Sequence, residues 1–318
     1  MSSDDSGKPE NWERKVLEKL ALSALQEQRR SRHWGIFFKL IGFSFLFLVL
    51  FLSMGWINKG EAPLSGKHTA LVELQGVIAS DQVSADKIIS GLQEAFKDKN
   101  TKGVILRINS PGGSPVQAGY INDEIKRLRG KHPNIPLYAV VEDICASGGY
   151  YVAAAADRIY VDKASMIGSI GVLMDGFGFT QGMEKLGVER RLLTAGANKG
   201  FLDPFSPMDA NQKALAQGML DDIHQQFIQV VRQGRGKRLK ETPDTFSGLI
   251  WTGEKGIQMG LADALGSAEY VAREVIKAEE IVDFTPQEGF AERFSKRFGV
   301  AMANTLISPL VRSGFGLH

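Results

Sequence analysis

Leu40 to Ile57 is a run of 18 residues without a charged side chain. As a helix it spans about 27 Å, close to the hydrocarbon thickness of a bilayer. It is apolar on every face, whereas a helix at the rim of a soluble core keeps one face polar. Trp34 and Trp56 bracket the run as interfacial anchors, and Lys39 at its edge can snorkel. Arg29, Arg30, Arg32 and Lys39 lie before it; Lys59, Glu61 and Lys67 lie after it. By the positive-inside rule the N-terminus is cytoplasmic and the rest of the chain is exported. A cleaved signal peptide would want a shorter run and a small-x-small site, which Asn58-Lys59-Gly60-Glu61 does not offer. A single-pass anchor over residues 34–57 is therefore expected.

Residues 1–33 are polar and basic, with Trp12, Val16 and Leu20 at helical spacing, which predicts an amphipathic cytoplasmic helix over Trp12–Gln28. The 318 residues carry a net charge of +2, which gives no argument for a nucleic-acid partner. One cysteine excludes an internal disulfide and leaves the compartment open.

Beyond a linker at 58–67, short apolar runs alternate with amphipathic ones. His68–Leu74 and Val77–Ile78 read as a hairpin around Gln75-Gly76. Strands are expected at Gly103–Ile108, Asn134–Val141, Arg158–Val161, Met166–Leu173 and Glu189–Leu193. Helices are expected at Ala85–Lys97, Val116–Arg129, Met208–Arg232, Glu254–Met259 and Ala268–Ala278, with a short one ending at Leu186. Such alternation argues for α/β with crossover connections over residues 68–280, followed by a weakly patterned tail at 281–318.

Two glycine-rich strand ends are where chemistry can sit. Asn109-Ser110-Pro111-Gly112-Gly113 lets backbone N–H groups approach a ligand closely, as an oxyanion hole requires, though Pro-Gly-Gly also makes an ordinary strand-to-helix turn. The second is Ala146-Ser147-Gly148-Gly149, after an apolar strand and before a small-residue helix. Ser147 is placed there as a helix N-cap or as a nucleophile, two roles that do not exclude each other.

A nucleophilic serine needs a base, and none of the five histidines has a neighbourhood suggesting a triad. A lysine serves if burial lowers its pKa by roughly 2–3 units. Lys199, among small and apolar residues from Thr194 to Leu202, is the best candidate, with Asp203 four residues on as a complication. A surface-loop lysine is the plainer alternative. Cys145 reads as a small buried hydrophobe. No HExxH or CxxC pattern points to a metal, and no cofactor is expected.

These residues resemble the signal peptide peptidase A family of membrane-anchored bacterial serine proteases, in its short, single-catalytic-domain form. The resemblance is carried by Asn109–Gly113, Ala146–Tyr151, Gly168-Ser169-Ile170-Gly171-Val172, and Lys199-Gly200 followed by Pro204–Met208, in that order. It implies a Ser–Lys dyad, with Ser147 as nucleophile, Lys199 as general base and Ser169 orienting Lys199. It also implies oxyanion donors from Gly112 or Gly113 and from Gly148. The implied fold is a crotonase/Clp-protease-like spiral of ββα units. The implied setting is a bacterial inner membrane, with signal-peptide remnants and unfolded hydrophobic segments as substrates. Homo-oligomers are implied too, with Ser147 and Lys199 of one site drawn either from one chain or from adjacent copies. The rivals are a membrane-anchored scaffold that binds hydrophobic segments without cutting them, and an acyl-CoA enzyme of the same fold, which an exported domain would rarely serve.

Overall fold

The computed structural model describes residues 10–53 and 66–286, which fall in two units described separately below. In the first, α1 (Glu10–Ser53) is one uninterrupted helix of 44 residues. It joins the amphipathic and apolar segments that the sequence presents as distinct, because neither Pro nor a cap signal separates them. It contains one stretch long and apolar enough to cross a membrane, none of it buried. Trp56 and most of the linker at 58–67 lie outside the described residues.

The second unit is an eight-stranded sheet with helices on both faces. Its central path runs β8 (Ile281–Asp283), β1 (His68–Gln75), β2 (Thr101–Ser110), β3 (Leu137–Ala146), β5 (Met166–Gly168), β6 (Ile250–Thr252). Every pair is parallel except β5–β6. Parallel strands need crossovers, and α2 (Ala85–Lys97) and α3 (Pro115–Lys131) supply the first two. Alternation along β1 and β2 divides the core. Val72, Leu74, Leu106 and Ile108 meet Ile88, Leu92 and Phe96 of α2 and Ile121 and Ile125 of α3. Leu71 and Ile105 face the other way, onto Ala268, Val271 and Ala272. Burying each such large aliphatic chain stabilises the fold by about 1.5–3 kcal/mol.

β3 is the pivot. Its first half pairs with β4 (Arg158–Val161) and its last residues pair with β5 on the same edge. The sheet therefore splits where β3 ends, and β4 goes on to pair with β7 (Ala264–Leu265). Between β3 and β4 lies α4 (Gly148–Ala153), whose Tyr150 hydroxyl donates to Leu261 O at 2.7 Å.

After β5 come α5 (Thr180–Lys185) and the long α6 (Ala210–Arg235), which Asp209 caps by accepting from Gln212 N–H at 2.9 Å. At its far end the Arg235 side chain, 1% exposed, donates through Nη1 and Nη2 to both oxygens of Asp263 at 2.8 and 2.9 Å. Asp263 Oδ2 also accepts from Ile159 N–H of β4, so α6 is fixed to the sheet by one buried cluster. α7 (Gly253–Gln258), α8 (Ala268–Tyr270) and a π-helical turn at Val271–Ile276 complete the unit.

The structure corrects several expectations. Val77–Ile78 does not fold back on β1, because both edges of β1 are already occupied by β2 and β8. Ile78 instead bridges in parallel to Gly113. Met166–Leu173 is a strand only as far as Gly168, where positive φ at Gly168 (108°) and Ser169 (50°) turns the chain out. Glu189–Leu193 forms no strand; Leu193 is 96% exposed, and no strand among the described residues pairs with the segment. Residues 281–283, placed in the tail by their sequence, form β8, while 287–318 lie outside the described residues.

Candidate active site

β2 and β3 run side by side, with Ser110 opposite Cys145, so the two glycine-rich turns emerge together at the carboxyl edge of the sheet. Gly112 has φ +103°, and a Cβ there would sit 2.7 Å from both Gly148 N and Ser147 Cβ. Gly113 has φ +144°, and a Cβ there would overlap the Ile78 carbonyl. Glycine is thus required twice over, by conformation and by space.

Hydrogen bonds fix the first turn. Gly112 N–H donates to the buried Ser110 Oγ at 3.1 Å, Ile78 N–H to Gly112 O at 2.8 Å, and Ser114 N–H to Ile78 O at 2.8 Å. Among the described residues, the N–H groups of Gly113 and Gly148 have no protein acceptor.

Ser147 has φ 51° and ψ −123°, a conformation that costs a non-glycine residue about 1–3 kcal/mol. Its N–H donates to Gly168 O at 2.9 Å and its carbonyl accepts from Tyr151 N–H at 2.9 Å. Its hydroxyl makes no capping bond, so the helix-cap alternative is not what this serine does. Ser169 also has positive φ, with its N–H donating to Leu249 O at 2.8 Å.

Ser147, Gly148, Gly113 and Ser169 share the wall of one cavity of about 540 Å³. Tyr151, Leu173, Ile223 and Phe227 give it an apolar lining, with the Tyr151 and Phe227 rings 5.2 Å apart. Gly112 is buried beneath the wall rather than part of it. The α6 contribution, Ile223, Gln226 and Phe227, is not visible in the local motifs; its signal is the apolar period of that helix, which is indistinguishable from ordinary core packing.

Lys199 is not on that wall. It is exposed, on a chain of tight turns in which Lys199 N–H donates to Gly196 O at 3.1 Å. The neighbouring small residues do not bury it within one chain. Asp203 is occupied by Arg190 and by Ser206 Oγ, the latter at 2.6 Å. Cys145 is wholly buried, which pushes its thiol well above the ordinary cysteine range. His224 Nε2 lies 3.1 Å from Ile170 O, and His68 lies beside Asp98 and Thr101 at the opposite, starting end of β1. A larger cleft of about 700 Å³ lies elsewhere, with Arg107 and Glu142 on its wall. Its Arg107 is already paired with Glu73 and Glu142. Among the described residues no cluster of three or more His, Cys, Asp or Glu is arranged to hold a metal.

Comparison with known proteins gives this Clp-protease-like α/β unit its family: residues 129–282 match peptidase family S49. The chain belongs to that family, as a member of the signal peptide peptidase A group. It is 32% identical over 218 residues to "Putative protease MJ0651" of Methanocaldococcus jannaschii, covering 67% of this chain and 69% of that one. It is 29% identical over 234 residues to "Putative signal peptide peptidase SppA" of Enterococcus faecium, covering 71% and 67%. A Brucella abortus protein named "Na(+)/H(+) antiporter NhaA" is 40% identical over 250 residues, which is 78% of this chain but only 33% of that protein. The chain thus spans about a third of the length of that relative.

Proposed function

We propose that this chain is a membrane-anchored serine endopeptidase, with Ser147 as nucleophile and Lys199 from a second copy of the chain as general base. The observation that carries the reading is Ser147 itself: strained, without a capping bond, on a largely apolar cavity beside the Gly113 and Gly148 N–H groups, which have no acceptor among the described residues. Strain of this kind persists only where the surroundings over-determine it, and it clusters at functional sites.

In this reading neutral Lys199 takes the proton from Ser147 Oγ, and the oxygen attacks a peptide carbonyl. The tetrahedral oxyanion is held by the N–H groups of Gly113 and Gly148; Gly112 is set aside because its N–H is committed to Ser110. Lys199 then protonates the leaving amine and activates the water that releases the acyl-enzyme. Ser169, on the same wall, orients the lysine.

A second copy is invoked because Lys199 is exposed and off the cavity wall. The segment leading to it also shows uncovered apolar side chains: Leu173 is 81% exposed, Phe177 80% and Leu186 80%. These side chains are open to contact with a second copy. The apolar cavity suits hydrophobic, extended peptide, and α1 would hold the enzyme at a bacterial inner membrane, catalytic unit outward, where signal-peptide remnants and unfolded segments accumulate.

The test is hydrolysis of hydrophobic peptides by the full chain in detergent, together with labelling of Ser147 by a fluorophosphonate. Ser147→Ala and Lys199→Ala should each abolish hydrolysis. Undiminished turnover in the Lys199→Ala protein would remove the dyad, and a folded protein that takes no label would favour a binding scaffold.

A further inference from the structure

A carboxylate close to a catalytic lysine favours the ammonium form and opposes its use as a base, and Asp203 follows Lys199 by four residues. The structure shows how the Asp203 carboxylate is engaged. Its side chain is 11% exposed. Arg190 Nη1 donates to Oδ2, Ser206 Oγ donates to the same oxygen at 2.6 Å, and Phe205 N–H approaches Oδ1 at 3.4 Å. The Arg190 guanidinium lies over the Phe205 ring, 5.4 Å from its centroid, and Phe205 stacks on Phe179 at 5.3 Å. Arg190 is therefore held by both a carboxylate and an aromatic face.

That cluster closes the turns that present Lys199. Lys199 N–H donates to Gly196 O, Phe201 N–H to Asn198 O, and Asp203 N–H to Gly200 O, at 3.1, 3.1 and 3.2 Å. Consecutive turns keep the Lys199 and Asp203 backbones within about 10 Å, near the distance over which salt screens a charge. Gln212 of α6 adds a bond from Leu202 N–H at 3.1 Å, at a residue with φ 52°. The other charged groups on the adjoining segments are Asp175 before Phe179, Glu184 and Lys185 of α5, Glu189 and Arg191, and Asp209 and Lys213 at the start of α6. Glu189 and Arg191 pair with each other at 3.1 Å, and Asp209 caps α6.

We infer that Arg190 is a positioning residue for Lys199: it ties down the lysine's turn through Asp203 and offsets the negative charge of that carboxylate beside the turn. This rests on Lys199 being the base. It gives the Glu189–Leu193 segment a role that its strand pattern does not suggest, since the segment delivers a cation to Asp203 instead of a rung to the sheet.

The experiment is the pH dependence of kcat/KM for the full chain with a hydrophobic peptide, in four variants. Arg190→Gln leaves Asp203 unbalanced, and the alkaline-rising limb should move to higher pH by about half to one unit. Asp203→Asn leaves Arg190 unbalanced, and the limb should move the opposite way. Arg190→Gln combined with Asp203→Asn should return the limb to the wild-type position, and Arg190→Lys should stay near it. A purely structural role would lower rates at every pH with the limb unmoved. That result, with the Lys199→Ala protein inactive, overturns this inference alone. An active Lys199→Ala protein overturns the dyad and this inference with it. If the Arg190→Gln protein does not fold, the direction of the Asp203→Asn shift decides.

Discussion

Ser147 is held in its strained conformation by its neighbours: Gly168 O accepts its N–H, Tyr151 donates to its carbonyl, and the bare Cα of Gly112 leaves room for its Cβ. Gly112→Ala should therefore be severe. The added methyl would lie 2.7 Å from Gly148 N, so the proposed oxyanion donor must move. Hydrolysis should fall by at least about a hundredfold, and thermal denaturation should show a loss of about 1–3 kcal/mol. Retained fluorophosphonate labelling at the wild-type rate would count against the assignment of Gly148. Cys145, two residues away, should behave oppositely. Buried and with its thiol pushed up, it should resist iodoacetamide at pH 8 until the protein is unfolded. At this scale the motif residues were legible and the cap-or-nucleophile ambiguity was not. Sequence shows that a serine precedes two glycines; only coordinates show which way its backbone turns.

Among the elements, α6 matters most, because Ile223 and Phe227 form one side of the cavity and Arg235 anchors the helix end. Burial pushes the Asp263 carboxyl up, but hydrogen bonds and charge from Arg235, the Ile159 N–H and Arg238 outweigh it, and its pKa lies below the ordinary value. A carboxyl depressed in the folded state contributes stability that is complete above its unfolded pKa and is lost as pH falls through the folded one. Denaturation midpoints should thus decline below about pH 4, and less steeply in an Asp263→Asn protein. Arg235→Leu removes two bonds to the Asp263 carboxylate and leaves those from Arg238 and the Ile159 N–H, so it should cost about 1–3 kcal/mol. Helix α2 was legible to the residue at Ala85–Lys97, as was β4 at Arg158–Val161, because their apolar periods are clean and their ends are marked. Glu189–Leu193 was misread because alternation describes a strand's faces and says nothing about whether a partner edge is free.

For the whole molecule, the proposal that one site draws on two copies makes assembly a condition of activity. Ser147→Ala and Lys199→Ala proteins, each inactive, should recover hydrolysis when mixed under subunit exchange, up to about a quarter of the wild-type rate if copies pair at random. Mixed oligomers that stay silent would place both groups in one chain. Removing residues 1–57 should release the catalytic unit from membranes into the soluble fraction after cell lysis; persistence in the membrane pellet would show a second anchoring surface.

By itself the sequence determined the alternating α/β order, the apolar run of α1, the serine between glycine turns and the lysine with its neighbouring aspartate. All of these are properties of residue type at short spacing, where pattern and covalent geometry suffice. The tertiary structure decided which glycine turn meets Ser147, that the Gly112 N–H is committed to Ser110 Oγ while that of Gly113 has no acceptor among the described residues, and that α6 walls the cavity. It also decided that Arg190 reaches Asp203 and that Lys199 stays outside its own chain's cavity. Those outcomes depend on which strands lie adjacent and which edges are already filled, and pairing across that distance is settled by packing and hydrogen-bond competition over the whole sheet.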